Sequence, residues 1–305
     1  MSCSVNPEIV GEQGGRAVLP WLVLVSGAWL QLYVACTYGW LHGDYYAYGW
    51  YVPPLAAFFC FRLRHLWWNA RPKPLPVSLV VPGLVLLFAA LTVLRVINRV
   101  DPRWTLPLWI QASVVIGLTF FALHRIGGKV IVSRFVPIVV FAASAIPLPS
   151  EVERLVVSNL TDSVIFTSVR LLEWSGQPVQ AIGDQIGRMG DVVRVTEGCS
   201  GIKSAQSFLM AALFFGEWMT LRLGGRLLMV AAGIVIAWTL NVLRASSLAW
   251  IRFEHGSDAF DRAHDLAGLA AFVAGSSILL IISRFLDSGK QGRRLVRRSV
   301  GGSAA

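Results

Sequence analysis

Long apolar runs alternate with short polar ones along this chain, and their lengths predict most of its elements. The first run, Ala17 to Tyr38, is long enough to cross about 30 Å of hydrocarbon at ~1.5 Å per helical residue. The second, Tyr46 to Phe61, is shorter and contains Pro53-Pro54, which predicts a broken spanning helix or a re-entrant segment. Further spans are expected at Val77 to Val96, Leu106 to Leu123 and Val130 to Leu148, with Pro147 and Pro149 punctuating the last exit. From Ser150 to Gly198 acidic residues are spread among apolar ones. There Leu155, Leu160, Val164, Ile165, Val169 and Leu172 recur at helical spacing and predict an amphipathic helix lying along the interface or packed on the bundle. Pro178 to Ile182 and Asp191 to Val195 then flank Gly183 to Gly190 as the arms of a small hairpin. Three more spans follow, Ile202 to Met219, Leu227 to Trp250 and Leu266 to Phe285.

These elements define the expected architecture, an all-α polytopic membrane protein of about eight transmembrane helices. A single domain covers residues 1–287, with an extracytoplasmic helix-plus-hairpin insertion at 150–198. Residues 288–305 form a basic cytoplasmic tail that carries Lys290, Arg293, Arg294, Arg297 and Arg298 and ends in small residues with no means of packing, so it is expected to be disordered.

Composition agrees, since 55% of the 305 residues are hydrophobic and only 14% charged, outside the range of soluble globular domains. A formal net charge of +10 brings nucleic acid to mind. The positive residues, however, sit mainly in short loops between apolar runs and in the tail, where they act as topology signals and meet anionic lipid. Nucleic acid is therefore not an expected partner, and membrane lipid is. The four cysteines, Cys3, Cys36, Cys60 and Cys199, form no CxxC pair and no metal-type spacing, so no metal site, cofactor or disulfide scaffold is expected.

With eight spans and a cytoplasmic N-terminus, the inner side receives Arg16, then Arg62, Arg64, Arg71 and Lys73, then Arg125, Lys129 and Arg134, then Arg222 and Arg226, and finally Arg284 with the tail. The ends of the last three spans that carry Cys199, Arg244 and His264 then share the outer leaflet of the cytoplasmic membrane.

Those three residues are the candidate chemistry. Cys199 immediately precedes a helix, where the dipole favours an anion and so a thiolate, and Lys203 adds a cation one turn on. Arg244 stands about two turns inside its span with Asn241 one turn away, and ionisable residues at that depth generally face a polar cavity or a partner. His264 opens the next span, and Gly268 one turn later leaves room for close approach of a backbone or ligand. A nucleophile, a base that titrates near neutrality and an oxyanion donor are what acyl transfer by cysteine requires. Glu197, Asp265 and Asn241 are candidates for orienting His264 or Arg244. The alternative is a non-enzymatic membrane protein, either an anion transporter using Arg244 or a polymer-export assembly factor. Transporters commonly carry repeated halves, and this sequence shows none.

Cys199-Ser200-Gly201, Asn241-Val242-Leu243-Arg244 and His264 with Gly268, in that order over three consecutive spans, resemble the signature of the exosortase/archaeosortase family. Tyr46-Ala47-Tyr48-Gly49 followed by Val52-Pro53-Pro54 resembles that family's early aromatic, glycine and proline segment, and Ala145-Ile146-Pro147-Leu148-Pro149 its mid-chain proline motif. The resemblance covers residues 40 to 285. It implies a cysteine peptidase/transpeptidase that recognises a C-terminal, PEP-CTERM-like sorting signal on exported proteins, namely a short motif, a transmembrane helix and a basic cluster. It cuts there and transfers the product to an acceptor whose identity the sequence does not give. By position, Cys199 is the nucleophile, Arg244 the oxyanion stabiliser and His264 the general acid/base, supported by Asn241, Ser200, Gly201, Lys203 and Gly268; Tyr48, Gly49 and Pro53 are candidates for substrate binding. This chain departs from the family at Tyr48, where relatives usually carry histidine.

Overall fold

A computed structural model describes residues 7–43, 45–68, 70, 72, 77–102, 104–188, 191–194 and 202–301. The chain divides into two compact units, Met1–Val152 and Glu153–Ala305.

The first unit contains helix α1 (Pro7–His42), a 3-10 turn (Ala47–Trp50), α2 (Val52–Arg62), the short α3 (Arg64–Trp67), α4 (Val77–Val100) and α5 (Thr105–Ala143). Continuous by hydrogen bonding, α5 is nevertheless interrupted at Gly127 and Gly128, the latter at φ +67°, a conformation that favours glycine. The chain reverses there. Trp109 near the start of α5 donates from Nε1 to Pro147 O at 2.8 Å, and Thr105 Oγ1 lies 3.2 Å from Ser150 Oγ, so the beginning of the helix meets the segment that follows its end. The two arms match the two runs separated in the sequence, except that the second arm stops at Ala143 rather than Leu148. α1 packs against both arms, with Trp29 Nε1 donating to Thr119 Oγ1 at 2.9 Å and Tyr33 OH to Ala142 O at 3.2 Å.

The carbonyls freed where α5 ends are met by aromatic donors from far away in the chain. Trp40 Nε1 donates to Ala145 O at 2.8 Å and Tyr48 OH to Ser144 O at 2.7 Å, while Leu148 N donates to Tyr46 OH at 2.9 Å. Prolines at 147 and 149 remove N–H groups and prevent the helix from continuing, which leaves its last carbonyls in need of partners. Gly49 is required at its position, because a Cβ there would lie 2.3 Å from Trp40 Nε1. The early aromatic-glycine motif and the later proline motif are thus two halves of one knot. Tyr48→Phe removes the donor to a half-buried carbonyl and is expected to lower stability by about 1–2 kcal/mol, read as a lower thermal midpoint of the detergent-purified protein.

Tyr46 to Phe61 is not a single spanning helix. After the 3-10 turn, α2 starts at Val52 with prolines in its first turn, where a missing N–H costs no helical bond, and its 11 residues cover only about 16 Å.

α6 (Ser150–Trp174) leads into the second unit. The unit continues with strands β1 (Gln180–Ile182), β2 (Gln185–Arg188) and β3 (Asp191–Arg194), then α7 (Ile202–Trp218), α8 (Leu223–His255) and α9 (Ser257–Gly301). The sheet is antiparallel in the order β1-β2-β3. Sequence pattern pairs the first and third of these segments directly, but Gly183, at φ +59°, turns the chain tightly enough for 185–188 to form an intervening strand.

Among the described residues, five helices are long and apolar enough to cross a membrane by length and composition: Ala17–His42, Thr105–Ala143, Ser150–Trp174, Leu223–His255 and Ser257–Asp287. The protein is therefore an all-α, multi-pass membrane protein, and of the two placements expected for α6, along the interface or packed on the bundle, its contacts with α8 agree with the second. Its charges gather in the first turns (Glu151, Glu153, Arg154) and the last (Arg170, Glu173), leaving Asp162 alone between them. It also runs in the same direction as α8, since Trp238 Nε1 donates to Ser163 Oγ at 3.2 Å and Ser168 Oγ to Val242 O at 3.4 Å. The helical backbone of α9 continues to Gly301, through a stretch beyond Phe285 that has no proline and is rich in good helix formers.

α7, α8 and α9 pack closely where glycines remove bulk. A Cβ at Gly233 would sit 3.1 Å from Phe208 O, and one at Gly275 would sit 2.3 Å from Phe208 Cζ. Phe208, Ala212, Leu221, Met229, Ala237 and Leu279 form the core around this crossing. At the α7–α8 turn, Arg226 Nη1 pairs with the buried Glu217 at 2.5 Å and Nε donates to Leu221 O at 2.7 Å, so both partners keep their charge satisfied away from water.

Candidate active site

α8 and α9 are joined by one residue, Gly256, at φ +82°, whose N–H donates to Arg252 O at 3.1 Å. A glycine in this conformation ends the helix and reverses the chain within a single position. The first turns of α9 are thereby laid back along the last turns of α8.

This reversal brings Arg244 of α8 onto His264 of α9. Arg244 Nη2 lies 3.2 Å from His264 Nε2 and 3.5 Å from His264 O. The guanidinium lies against the backbone of Gly268, whose missing Cβ would be 3.4 Å from Nη2 and 3.5 Å from Cζ, so a long side chain at 268 would occupy the space the arginine uses. Arg244 Nε is buried and has no hydrogen-bond partner. Among the described residues no carboxylate pairs with this guanidinium, so its charge is not neutralised by an ion pair.

The contact has a chemical consequence for the imidazole. A guanidinium carries only donors, so a hydrogen bond between the two side chains needs a lone pair on His264 Nε2. The other ring nitrogen, Nδ1, lies 3.3 Å from Asp265 Oδ1. The ring of Phe260, one turn earlier, packs 5.8 Å from the imidazole. Phe260 was not evident as a site neighbour from the sequence; its i−4 spacing from His264 was the available signal.

Asn241 is buried one turn before Arg244 on α8, and Lys203 is exposed on the first turn of α7. Cys199, Ser200 and Gly201 lie outside the described residues, between the end of β3 and the start of α7. β3 is held to the end of α8 by Arg252 on Asp191 at 3.3 Å, and β2 by Arg188 on Glu254 at 2.5 Å. Apolar packing adds to this, with Ile186 and Val193 of the sheet in one cluster with Ile165, Val169, Leu172 and Ala249. Tyr48, Gly49 and Pro53 belong to the first unit, where the Tyr48 hydroxyl is already used on Ser144 and Gly49 lies under the Trp40 indole. No group of three or more metal-ligating side chains occurs among the described residues.

A multi-pass membrane protein with a histidine held against an arginine at a helix corner is the class these features define. The family model for transmembrane exosortases (Exosortase_EpsH) matches residues 40–281, well over half of the chain, and the protein belongs to that family. Its members are generally cysteine-type membrane transpeptidases or proteases that sort exported proteins. No curated protein and no solved structure matches the chain.

Proposed function

We propose that this protein is a membrane-embedded cysteine peptidase/transpeptidase that cleaves PEP-CTERM-like C-terminal sorting signals of exported proteins and passes them to an acceptor. The reaction takes place at the outer face of the cytoplasmic membrane. The observation that carries this reading is the contact between Arg244 and His264, two residues that the family resemblance assigns to one reaction from separate spans. The second unit alone supports the orientation. Arg222 and Arg226 at the α7–α8 turn, and the basic cluster beyond Phe285, favour a cytoplasmic location for the end opposite His264.

In the reaction, the Cys199 sulfur attacks the scissile carbonyl carbon. At rest His264 Nε2 is engaged by Arg244 and cannot take a proton. When the carbonyl oxygen arrives and gains negative charge, Arg244 turns its Nη donors to it, and Nε2 is released to accept the thiol proton. The imidazolium then protonates the departing amine as the C–N bond breaks, leaving a thioester on Cys199. An acceptor nucleophile or water attacks that thioester, gives its proton to His264, and restores the thiol.

The test is to trap the thioester. Full-length protein in membranes, incubated with a protein bearing a motif, an apolar helix and arginines at its C-terminus, is expected to yield an adduct on the Cys199 peptide that neutral hydroxylamine removes. Cleavage of the signal with no adduct at Cys199 would refute the reading.

A further inference from the structure

We infer that Asp265 is a positioning residue for the reaction proposed above, fixing the imidazole of His264 in the Nδ1–H tautomer from the side opposite Arg244. The argument starts from the shape of the ring. Nδ1 is bonded next to Cγ and stays close to its own backbone, whereas Nε2 is the distal nitrogen and reaches away from the helix. In α9 the distal nitrogen crosses to Arg244 on α8, and the proximal one meets the carboxylate of the next residue along the same helix. Each neighbour tolerates one proton arrangement only: Arg244 can only donate, and an ionised Asp265 can only accept. Together they require the proton on Nδ1 and the lone pair on Nε2. Phe260 restricts flipping of the ring, which would exchange the two nitrogens.

This tautomer is the one the reaction needs. His264 must present a lone pair at Nε2 to receive the thiol proton, and the second ring nitrogen must then hold its proton against a partner that stabilises the imidazolium. Free imidazole side chains favour the opposite tautomer, with the proton on Nε2, so the arrangement has to be imposed by neighbours. Arg244 imposes it at rest but leaves Nε2 when the carbonyl arrives. Asp265 continues to impose it during proton transfer. Because the Asp265 side chain is 98% exposed, water competes for it, and the expected kinetic effect is correspondingly small.

Two measurements test this on the full chain in detergent or nanodiscs. In nitrogen-15 spectra of histidine-labelled protein, with the His264 signal identified by its loss in His264→Gln, the unmodified protein and Arg244→Met, which lacks the other constraint, are expected to show the Nδ1–H pattern, and Arg244→Met combined with Asp265→Asn a mixture of tautomers. In turnover of a signal-bearing substrate, Asp265→Asn is expected to lower kcat about three- to fivefold at unchanged KM, with Asp265→Glu restoring most of the loss. A helix-surface aspartate with a merely structural role would move neither the tautomer nor kcat alone. An Nε2–H pattern in the unmodified protein overturns the inference, as does an unchanged tautomer when Asp265→Asn is added to Arg244→Met, or an unchanged kcat in Asp265→Asn. The inference rests on the proposed reaction but fails separately from it: normal processing by Cys199→Ala would remove the reaction, while the tautomer is read without any turnover.

Discussion

Replacing Cys199 by alanine is expected to abolish processing of a co-expressed signal-bearing protein, by at least about 10⁴-fold, while membrane abundance stays at the level of the unmodified protein. The magnitude follows from the chemistry. Without the sulfur there is no thioester, and Arg244 and His264 can only assist direct attack by water, a different and far slower reaction. Cys199→Ser is expected to fail nearly as completely, because a hydroxyl in place of a thiol must lose its proton at a far higher pKa and His264 is a weak base for that task. Abundance is expected to be unaffected because the described cores of the second unit form around α7 from Phe208 onward, around α8, and beneath the sheet. Cys36 and Cys60 supply the internal control. Cys36 is fully buried and Cys60 partly so, both in the first unit, and alanine at either is expected to leave processing intact. Immunoblotting of precursor and product, normalised to the membrane-inserted enzyme, reads all four variants. Normal processing by Cys199→Ala would remove the nucleophile from the mechanism.

The parts of this fold that sequence made legible are those written in local pattern. Alternation of apolar runs and breaks was enough to separate α7, α8 and α9, and the Gly127–Gly128 interruption was visible as the gap between two expected spans. The convergence of Arg244, His264 and Gly268 could be anticipated because all three sit near a single helix corner, so nearness along the chain becomes nearness in space once Gly256 reverses it. The knot in the first unit was not legible. Tyr48 and Ser144 are 96 residues apart and Trp40 and Ala145 are 105 apart, and no periodicity within either segment announces the other. Tyr48 and Gly49, candidates for substrate binding by resemblance, use the hydroxyl of one and the bare Cα of the other in joining two turns. For α6 the pattern left two placements open, along the interface or on the bundle, and the charges gathered at its two ends leave an apolar middle that packs Val164 against Val242 and Ala245.

Arg244→Lys is expected to lower kcat by about 10²- to 10³-fold with little change in KM, the loss that follows removal of an oxyanion donor used in the transition state. Charge alone does not substitute. A lysine ammonium is a compact point at the end of a flexible stem, whereas the guanidinium presents several donors in a fixed plane, and here that plane lies flat over Gly268 where the helix backbone leaves room for it. The lysine would also lose the pair of Nη donors that turn from His264 to the carbonyl oxygen. Stability should move the other way. Arg244 Nε is buried without a partner, an arrangement that costs about 1–3 kcal/mol, and the group lacks a counter-ion among the described residues. Arg244→Met, which fills similar space without the unsatisfied donor, is therefore expected to be catalytically dead yet to melt no lower than the unmodified protein. An arginine retained for structure would give the reverse pattern, with a lower melting temperature and residual turnover in the lysine variant. A rise in KM at constant kcat would instead assign Arg244 to holding the substrate in its ground state, since transition-state stabilisation is what separates the two kinetic constants.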